Sequence, residues 1–147
     1  MTITRQDVEQ VMDRRVGAAM DLAGMSTGDG NINPWLTDPL RWALYMLGYT
    51  STSIVAVTDS DLANVPAGAV DALLDLCELR TLEAVRTNYI DVTTRVGQVS
   101  EDKSDYATAL AAMIEDKRKQ VAGVHDALLV HPLTATGGSS TVRIVAL

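Results

Sequence analysis

Apolar residues in the first part of the chain recur at the three- and four-residue spacing of an amphipathic helix. Thr4 stands where an N-cap is expected, and Asp7 follows at the third helical position, as in a short capping box. Gly24 supplies a residue that tolerates the left-handed conformation at a helix end. The pattern therefore predicts a first helix whose buried face consists of Val8, Val11, Met12, Val16, Ala19, Met20 and Ala23.

The apolar period then stops for about a dozen residues. The segment 24–36 is rich in Gly, Asn and Ser and predicts a long exposed loop. Asp38 followed by Pro39 predicts the N-cap and first turn of a short helix that Gly48 ends. Residues 51–57 alternate small polar and β-branched side chains, which favours a short extended segment.

The longest helical pattern occupies the middle of the chain. The polar cluster at residues 58–61 starts a predicted short helical turn through Leu62 and Val65, and Pro66 suits the first turn of a helix that reaches about Asn88. This helix has more apolar residues than one narrow stripe along its surface can hold, so the sequence predicts a central helix with partners on more than one side. These positions are Val70, Leu73, Leu74, Leu76, Cys77, Leu79, Leu82 and Val85.

A second charged helix follows. The β-branched residues after Asn88, up to Gly97, predict an extended connector, and Ser100 is the expected N-cap of a helix that Gly123 ends. Acidic side chains open this helix and Lys117, Arg118 and Lys119 lie toward its end, which is the favourable charge order for the helix dipole.

The sequence thus predicts an all-α fold: a small helical bundle over residues 1–123 and a C-terminal extension over 124–147. The TATGGSST stretch is a flexible hinge, and the last seven residues of the given sequence, TVRIVAL, form an apolar strand-like arm. A lone strand leaves backbone groups unpaired and can add to a sheet of another subunit. The arm therefore supplies candidate partner-binding residues: Thr141, Val142, Arg143, Ile144, Val145 and Leu147.

Composition narrows the classes of function. The chain has 147 residues, which suits one domain, and a formal charge of −7, which disfavours general binding to nucleic acid or anionic membranes. Its single cysteine, Cys77, can build neither an intrachain disulfide nor a cysteine zinc site. No apolar run is long enough for a membrane span, so we expect a soluble protein from a reducing compartment.

Candidate chemistry is sparse. His125 and His131 are assigned to the tail as surface residues, and their spacing does not place them on one helical face. Asp71, Asp75 and Glu78 recur at helical spacing and are interpreted as a solvated face. No phosphate-binding loop, di-iron motif or catalytic triad pattern is present. The sequence predicts no catalytic residue, no metal site and no cofactor.

Besides the arm, two groups of residues are candidates for contacts with partners. Trp35 and Trp42 lie with two tyrosines around the short helix, and core or subunit contact is the favoured interpretation, with a ligand platform as the alternative. Lys117, Arg118 and Lys119 form the only basic run, which helix-end charge explains; facing a channel or a neighbouring subunit is the alternative.

One stretch of the chain resembles a known family. The Leu82-Glu83 pair, the Val96-Gly97 step and a final helix with basic residues from Lys103 to Lys119 are similar to the core of the head-to-tail adaptor (connector or neck) proteins of tailed bacteriophages. The upstream turn from Thr58 to Pro66, followed by AVDALLDL, resembles the short helix that precedes the long one in that family. The likeness covers residues 58–121.

The resemblance implies a structural virion protein without catalysis. Such a protein forms a ring below the portal, often of twelve copies, extends the DNA channel without reading sequence, and is the platform for the next neck or tail-completion protein. It would be found in the virion neck, and in the host cytoplasm during assembly. The alternative is a small helical regulatory or protein-binding module that forms no ring, with Trp35 and Trp42 beside a partner groove.

Overall fold

The chain folds as a helical bundle. The computed structural model describes residues 2–25, 32–49, 56–96 and 101–133, without the side chains of 90–96 and 101–104. Within these ranges there are five α-helices: α1 (Arg5–Leu22), α2 (Thr37–Met46), α3 (Asp59–Leu62), α4 (Val70–Val96) and α5 (Glu101–His125). Short 3-10 turns lie at Pro34–Leu36, Ala67–Ala69 and Asp126–Leu128. No strand occurs in the described ranges, and the predicted all-α class with a long central helix is confirmed.

The ends of α1 follow the predicted signals. The Thr4 hydroxyl accepts a hydrogen bond from the Asp7 backbone N–H at 3.2 Å, and the Asp7 carboxylate accepts one from the Thr4 N–H at 2.9 Å. This reciprocal pair is the predicted capping box. Gly24 has φ 72° and Gly48 has φ 99°, so glycine ends both α1 and α2 in the conformation that other residues adopt at a cost.

The start of α2 differs from the prediction. Asp38 is not the N-cap, because α2 begins at Thr37 and continues directly from the 3-10 turn at Pro34–Leu36. That turn is capped by Asn33, whose side-chain oxygen accepts a hydrogen bond from the Trp35 N–H at 2.9 Å. Proline suits any position in the first turn, where backbone N–H groups have no intrahelical partner, so an Asp-Pro pair does not fix which residue is the cap.

Two predicted helix ends are also wrong. α4 continues to Val96, so the stretch after Asn88 is helical and not an extended connector. β-branched residues lower helix propensity by only a few tenths of a kcal/mol each, which a long helix tolerates. α5 passes through Gly123 to His125, since a single glycine weakens a helix by about 1 kcal/mol without ending it. The predicted cap Ser100 lies outside the described residues, as do most of the predicted extended segment 51–57 and the whole arm.

α4 is the centre of the bundle and packs against α1, α2 and α5, which confirms the prediction of partners on several sides. Leucines fill half of its described buried positions, while methionines of the surrounding elements occupy gaps in a core that has no phenylalanine. α4 and α5 run antiparallel, as the contacts of Tyr89 with Tyr106 and of Asp75 with His125 show. The fully buried large side chains are Val8, Met12, Met25, Leu36, Leu40, Leu44, Leu62, Leu73, Leu76, Leu79, Leu82 and Leu110.

The chain beyond α5 lies against the helices as far as it is described. The Val130 N–H donates a hydrogen bond to the Met46 carbonyl at 2.8 Å. The His131 ring stacks on Tyr45 with 4.2 Å between centroids and an interplanar angle of 8°. Leu129 and Leu133 are partly buried against the core. These contacts fix residues 126–133 beside the end of α2.

Candidate functional site

An ion-pair cluster joins three helices. The Asp75 carboxylate on α4 accepts hydrogen bonds from Arg15 of α1 at 3.0 Å, Lys117 of α5 at 3.1 Å and the His125 Nε2 at 2.8 Å. Glu78 is one turn further along α4 and pairs with the same Arg15 at 3.0 Å and Lys117 at 3.1 Å. The two carboxylates therefore bind α1 and α5 to the central helix from one face.

The cluster is partly buried and its permanent charges balance. The side chains of Asp75, Glu78 and Lys117 are only 15%, 16% and 11% exposed. Two carboxylates face two permanent cations, so the group carries no net charge while His125 is neutral. Burial by itself would raise the pKa of Asp75, but hydrogen bonds from His125 and Lys117 outweigh it, so that the pKa lies below its ordinary value. Asp75 thus stays ionised at neutral pH.

The sequence interpretation of these carboxylates as a solvated face is wrong for Asp75 and Glu78. Only Asp71 of the three is exposed. A signal was available in the pattern of α4, because a helix with too many apolar residues for one stripe is surrounded, and its polar residues must then meet partners. Which partners they meet depends on how α1 and α5 pack, which periodicity does not specify.

His125 was also misplaced by the sequence. It is the last residue of α5 and is buried, with 7% exposure, rather than a surface residue of a tail. His131 is half-buried on Tyr45. Within the described residues no group of three or more His, Cys, Asp or Glu side chains is arranged to hold a metal ion.

Cys77 is fully buried on α4. Burial raises the pKa of its thiol to about 12, so the thiol remains protonated at neutral pH. A protonated, water-inaccessible thiol is a poor nucleophile, which fits the sequence interpretation of Cys77 as a small core residue.

The basic run is divided by the structure. Lys117 lies in the ion-pair cluster, and Arg118 pairs with Glu83 of α4; both side chains are about nine-tenths buried. Lys119 is exposed. Lys117 and Arg118 point inward because their partner carboxylates, those of Asp75, Glu78 and Glu83, lie on the side of α4 that faces α5. Of the three residues predicted as channel- or subunit-facing charges, Lys119 is the one that the folded chain presents to solvent.

The two tryptophans have different environments. Trp42 is partly buried against the core, with the Arg80 guanidinium 5.4 Å from the ring centroid. Trp35 is 44% exposed on the turn before α2. Trp42 therefore has a packing role, whereas Trp35 leaves much of an aromatic surface available to a partner.

A membrane-spanning role finds no candidate among the described helices, none of which is long and apolar enough to cross a bilayer. Comparison with known proteins adds no relative: no protein-family model, curated protein or solved structure matches the chain.

Proposed function

We propose that this chain is a structural virion protein, a head-to-tail adaptor that forms a ring below the portal of a tailed bacteriophage. The observation that carries the proposal is the helical arrangement of the described parts of residues 58–121, the stretch that resembles the adaptor family. It consists of the turn of α3, the long α4 and the antiparallel α5. Contacts from Asp75 to Tyr89 on α4 connect the two long helices along their length.

The construction of this helix pair is consistent with a rigid subunit of a ring. Ion pairs hold α5 at Asp75, Glu78 and Glu83, and the apolar core of α4 holds α1 and α2 on its other sides. The resemblance implies a ring of about twelve copies, with the portal on one side and the next neck or tail-completion protein on the other.

The charge of the chain is consistent with the proposed passage of DNA. A formal charge of −7 on each copy would give the wall of a channel a negative potential on average. A duplex would be repelled from such a wall and could move through it without being held. The proposal therefore involves neither sequence-specific DNA binding nor catalysis, and it places the protein in the virion neck after assembly in the host cytoplasm.

Electron microscopy tests the proposal directly. The chain is mixed with purified rings of the portal protein encoded in the same genome, and averaged particles are compared with portal alone. We expect an added ring of about twelve copies on one end of the portal. Undecorated portal rings beside free monomers would contradict the proposal.

The alternative, a helical regulatory module, is favoured by one observation, the exposed Trp35 beside the first turn of α2. A regulator would bind a defined partner with fixed small stoichiometry and would not form a ring. Mass measurement of the complex separates the two functions.

The C-terminal arm has its own test within the proposal. A chain that ends after Gly138 lacks Thr141–Leu147 but keeps the contacts of residues 126–133 with α2. We expect its thermal midpoint to remain within about 2 °C of the full chain while its assembly on portal rings weakens. A loss of stability comparable to that of a core mutation would show that the arm is part of the folded domain.

A further inference from the structure

Three helices begin at one place in the molecule, around the buried Arg5. The Arg5 backbone N–H at the start of α1 donates to the Asp59 carboxylate of α3 at 2.7 Å. Its guanidinium donates to the Thr37 hydroxyl of α2 at 3.3 Å, to the Val57 carbonyl at 3.2 Å and to the Asn33 carbonyl at 2.9 Å. Arg5 thus ties the starts of α1, α2 and α3 into one rigid end of the bundle.

Asn33 is fixed in this end by every polar group that it has. Its backbone N–H donates to both oxygens of Glu9 at 3.1 Å, and its side-chain N–H donates to the Met25 carbonyl at 3.1 Å. Its side-chain oxygen accepts from the Trp35 N–H, and its carbonyl accepts from Arg5. A backbone held in this way has little conformational freedom left to lose on binding.

The residues on either side of Asn33 are apolar and exposed. Ile32 is 67% exposed, Trp35 is 44% exposed, and Pro34 between them is exposed too. We call Ile32, Pro34 and Trp35 the Ile32–Trp35 knob. Rigid aromatic side chains such as Trp lose little conformational entropy on binding and are among the residues that dominate binding energy at protein interfaces.

Acidic side chains lie at the starts of the helices that meet at this end of the bundle. Asp7 and Asp59 are exposed at the starts of α1 and α3, and Asp61 is half-exposed beside Asp59. Asp38, in the first turn of α2, is 72% exposed although Arg80 lies 3.6 Å away. We call these four residues the acidic collar. Within the described parts of the chain, the Arg5 guanidinium is buried and pairs with Glu9, while the Arg5 backbone N–H bonds to Asp59, so Arg5 offers little positive charge to solvent.

We propose that the Ile32–Trp35 knob is the anchor by which this chain docks into its protein partner, and that the partner site is an apolar socket bordered by Lys and Arg side chains. The knob supplies apolar area at low entropic cost, and the acidic collar requires a basic border for charge complementarity. The inference rests on the proposed function, in which that partner is the portal ring, and it assigns the contact to this end of the bundle.

The test compares variants for binding to portal rings by cosedimentation at two salt concentrations. Trp35→Ala removes the aromatic anchor, and Met113→Ala is the matched control because Met113 is 49% exposed on α5, away from the knob. Asp38→Asn removes one collar charge. Circular dichroism and thermal midpoints establish that each variant is folded.

We expect Trp35→Ala to lower affinity by about 30-fold, the ratio for an anchor residue that contributes roughly 2 kcal/mol, and Met113→Ala by less than about threefold. Binding of the unchanged chain should weaken as salt rises from about 50 to 200 mM, and Asp38→Asn should reduce that salt dependence. Normal binding by folded Trp35→Ala, or binding that is independent of salt, would overturn the inference and leave the proposed function intact. Failure of the unchanged chain to bind portal would overturn the proposed function and this assignment together.

Discussion

Asp75→Asn is the substitution that most directly tests the ion-pair cluster. Arg15, Lys117 and His125 all donate to the Asp75 carboxylate at 2.8 to 3.1 Å. Asparagine has the same shape, but an amide NH2 group replaces one of the two acceptor oxygens. A donor group would then face the donors of the neighbouring side chains. Glu78 alone would then face two permanent cations in a site where Asp75 is 15% exposed.

The expected loss follows from these contacts. A hydrogen bond to a charged group contributes about 1.5–3 kcal/mol, and removal of one partner from a buried ion pair costs about 3–5 kcal/mol. Residual solvent access lowers the second figure, so we expect Asp75→Asn to reduce the free energy of unfolding by about 2–4 kcal/mol at pH 7. Urea denaturation measures this change, provided that the m value stays constant.

The control for this experiment is Asp116→Asn, which removes an exposed carboxylate next to Lys117 on α5. It should change stability by less than about 0.5 kcal/mol. If Asp75→Asn were equally mild, the cluster would contribute nothing to the attachment of α1 and α5, and the argument from its burial and geometry would be refuted.

The difference in stability between the unchanged chain and Asp75→Asn is expected to depend on pH. Because the pKa of Asp75 is lower in the folded chain than its ordinary value of 3.8, its stabilising contribution is fully present above that value. The contribution is lost as pH falls through the folded-state pKa, when the carboxyl takes up a proton and loses its charge. The stability difference between the unchanged chain and Asp75→Asn should therefore shrink as the pH falls below about 4. A difference that persists undiminished at pH 2 would contradict this account.

Three further predictions test the packing. Leu73→Ala, at a fully buried position of α4, should lower the unfolding free energy by about 2–5 kcal/mol in urea titrations, and a change near zero would contradict the central position of this helix. Gly48→Ala should cost about 1–2 kcal/mol, because φ is 99° and the added Cβ would lie 3.0 Å from Val130 Cγ2, whereas Gly68→Ala has open space and should be nearly neutral. Cys77 should react with a thiol reagent only as fast as the protein unfolds, so rapid labelling of the native chain would show that α4 is accessible there.

Some helix ends could be predicted from the sequence, and others could not. Local signals correctly located the capping box of Thr4 and Asp7 and the left-handed glycines, since each acts within one helical turn. The start of α2 and the ends of α4 and α5 were misjudged, because Asp38, the β-branched residues after Asn88 and Gly123 are compatible with more than one position relative to a helix end. Their actual positions depend on energy differences of about 1 kcal/mol, which contacts elsewhere in the fold exceed.

The candidate site was less accessible from sequence than the fold. Trp35 and Trp42 were grouped by proximity in the chain, but the structure buries part of one and exposes the other. Lys117 and Arg118 were considered as surface charges, yet carboxylates of α4 that lie between 35 and 42 positions earlier bind them. Pairings over such separations depend on how helices pack, and no local pattern encodes them.

The sequence by itself determined the fold class of this protein. The period of its apolar residues requires helices, and the many apolar residues between positions 70 and 85 require a central helix with neighbours on several sides. Only the tertiary structure decided which polar residues meet. It brought Asp75 to His125 and gathered the starts of α1, α2 and α3 around Arg5, leaving Ile32 and Trp35 exposed on a rigid end. The physical reason is that apolar burial is non-directional and can be read from periodicity, whereas hydrogen bonds and ion pairs need specific distances that exist only after the helices have packed.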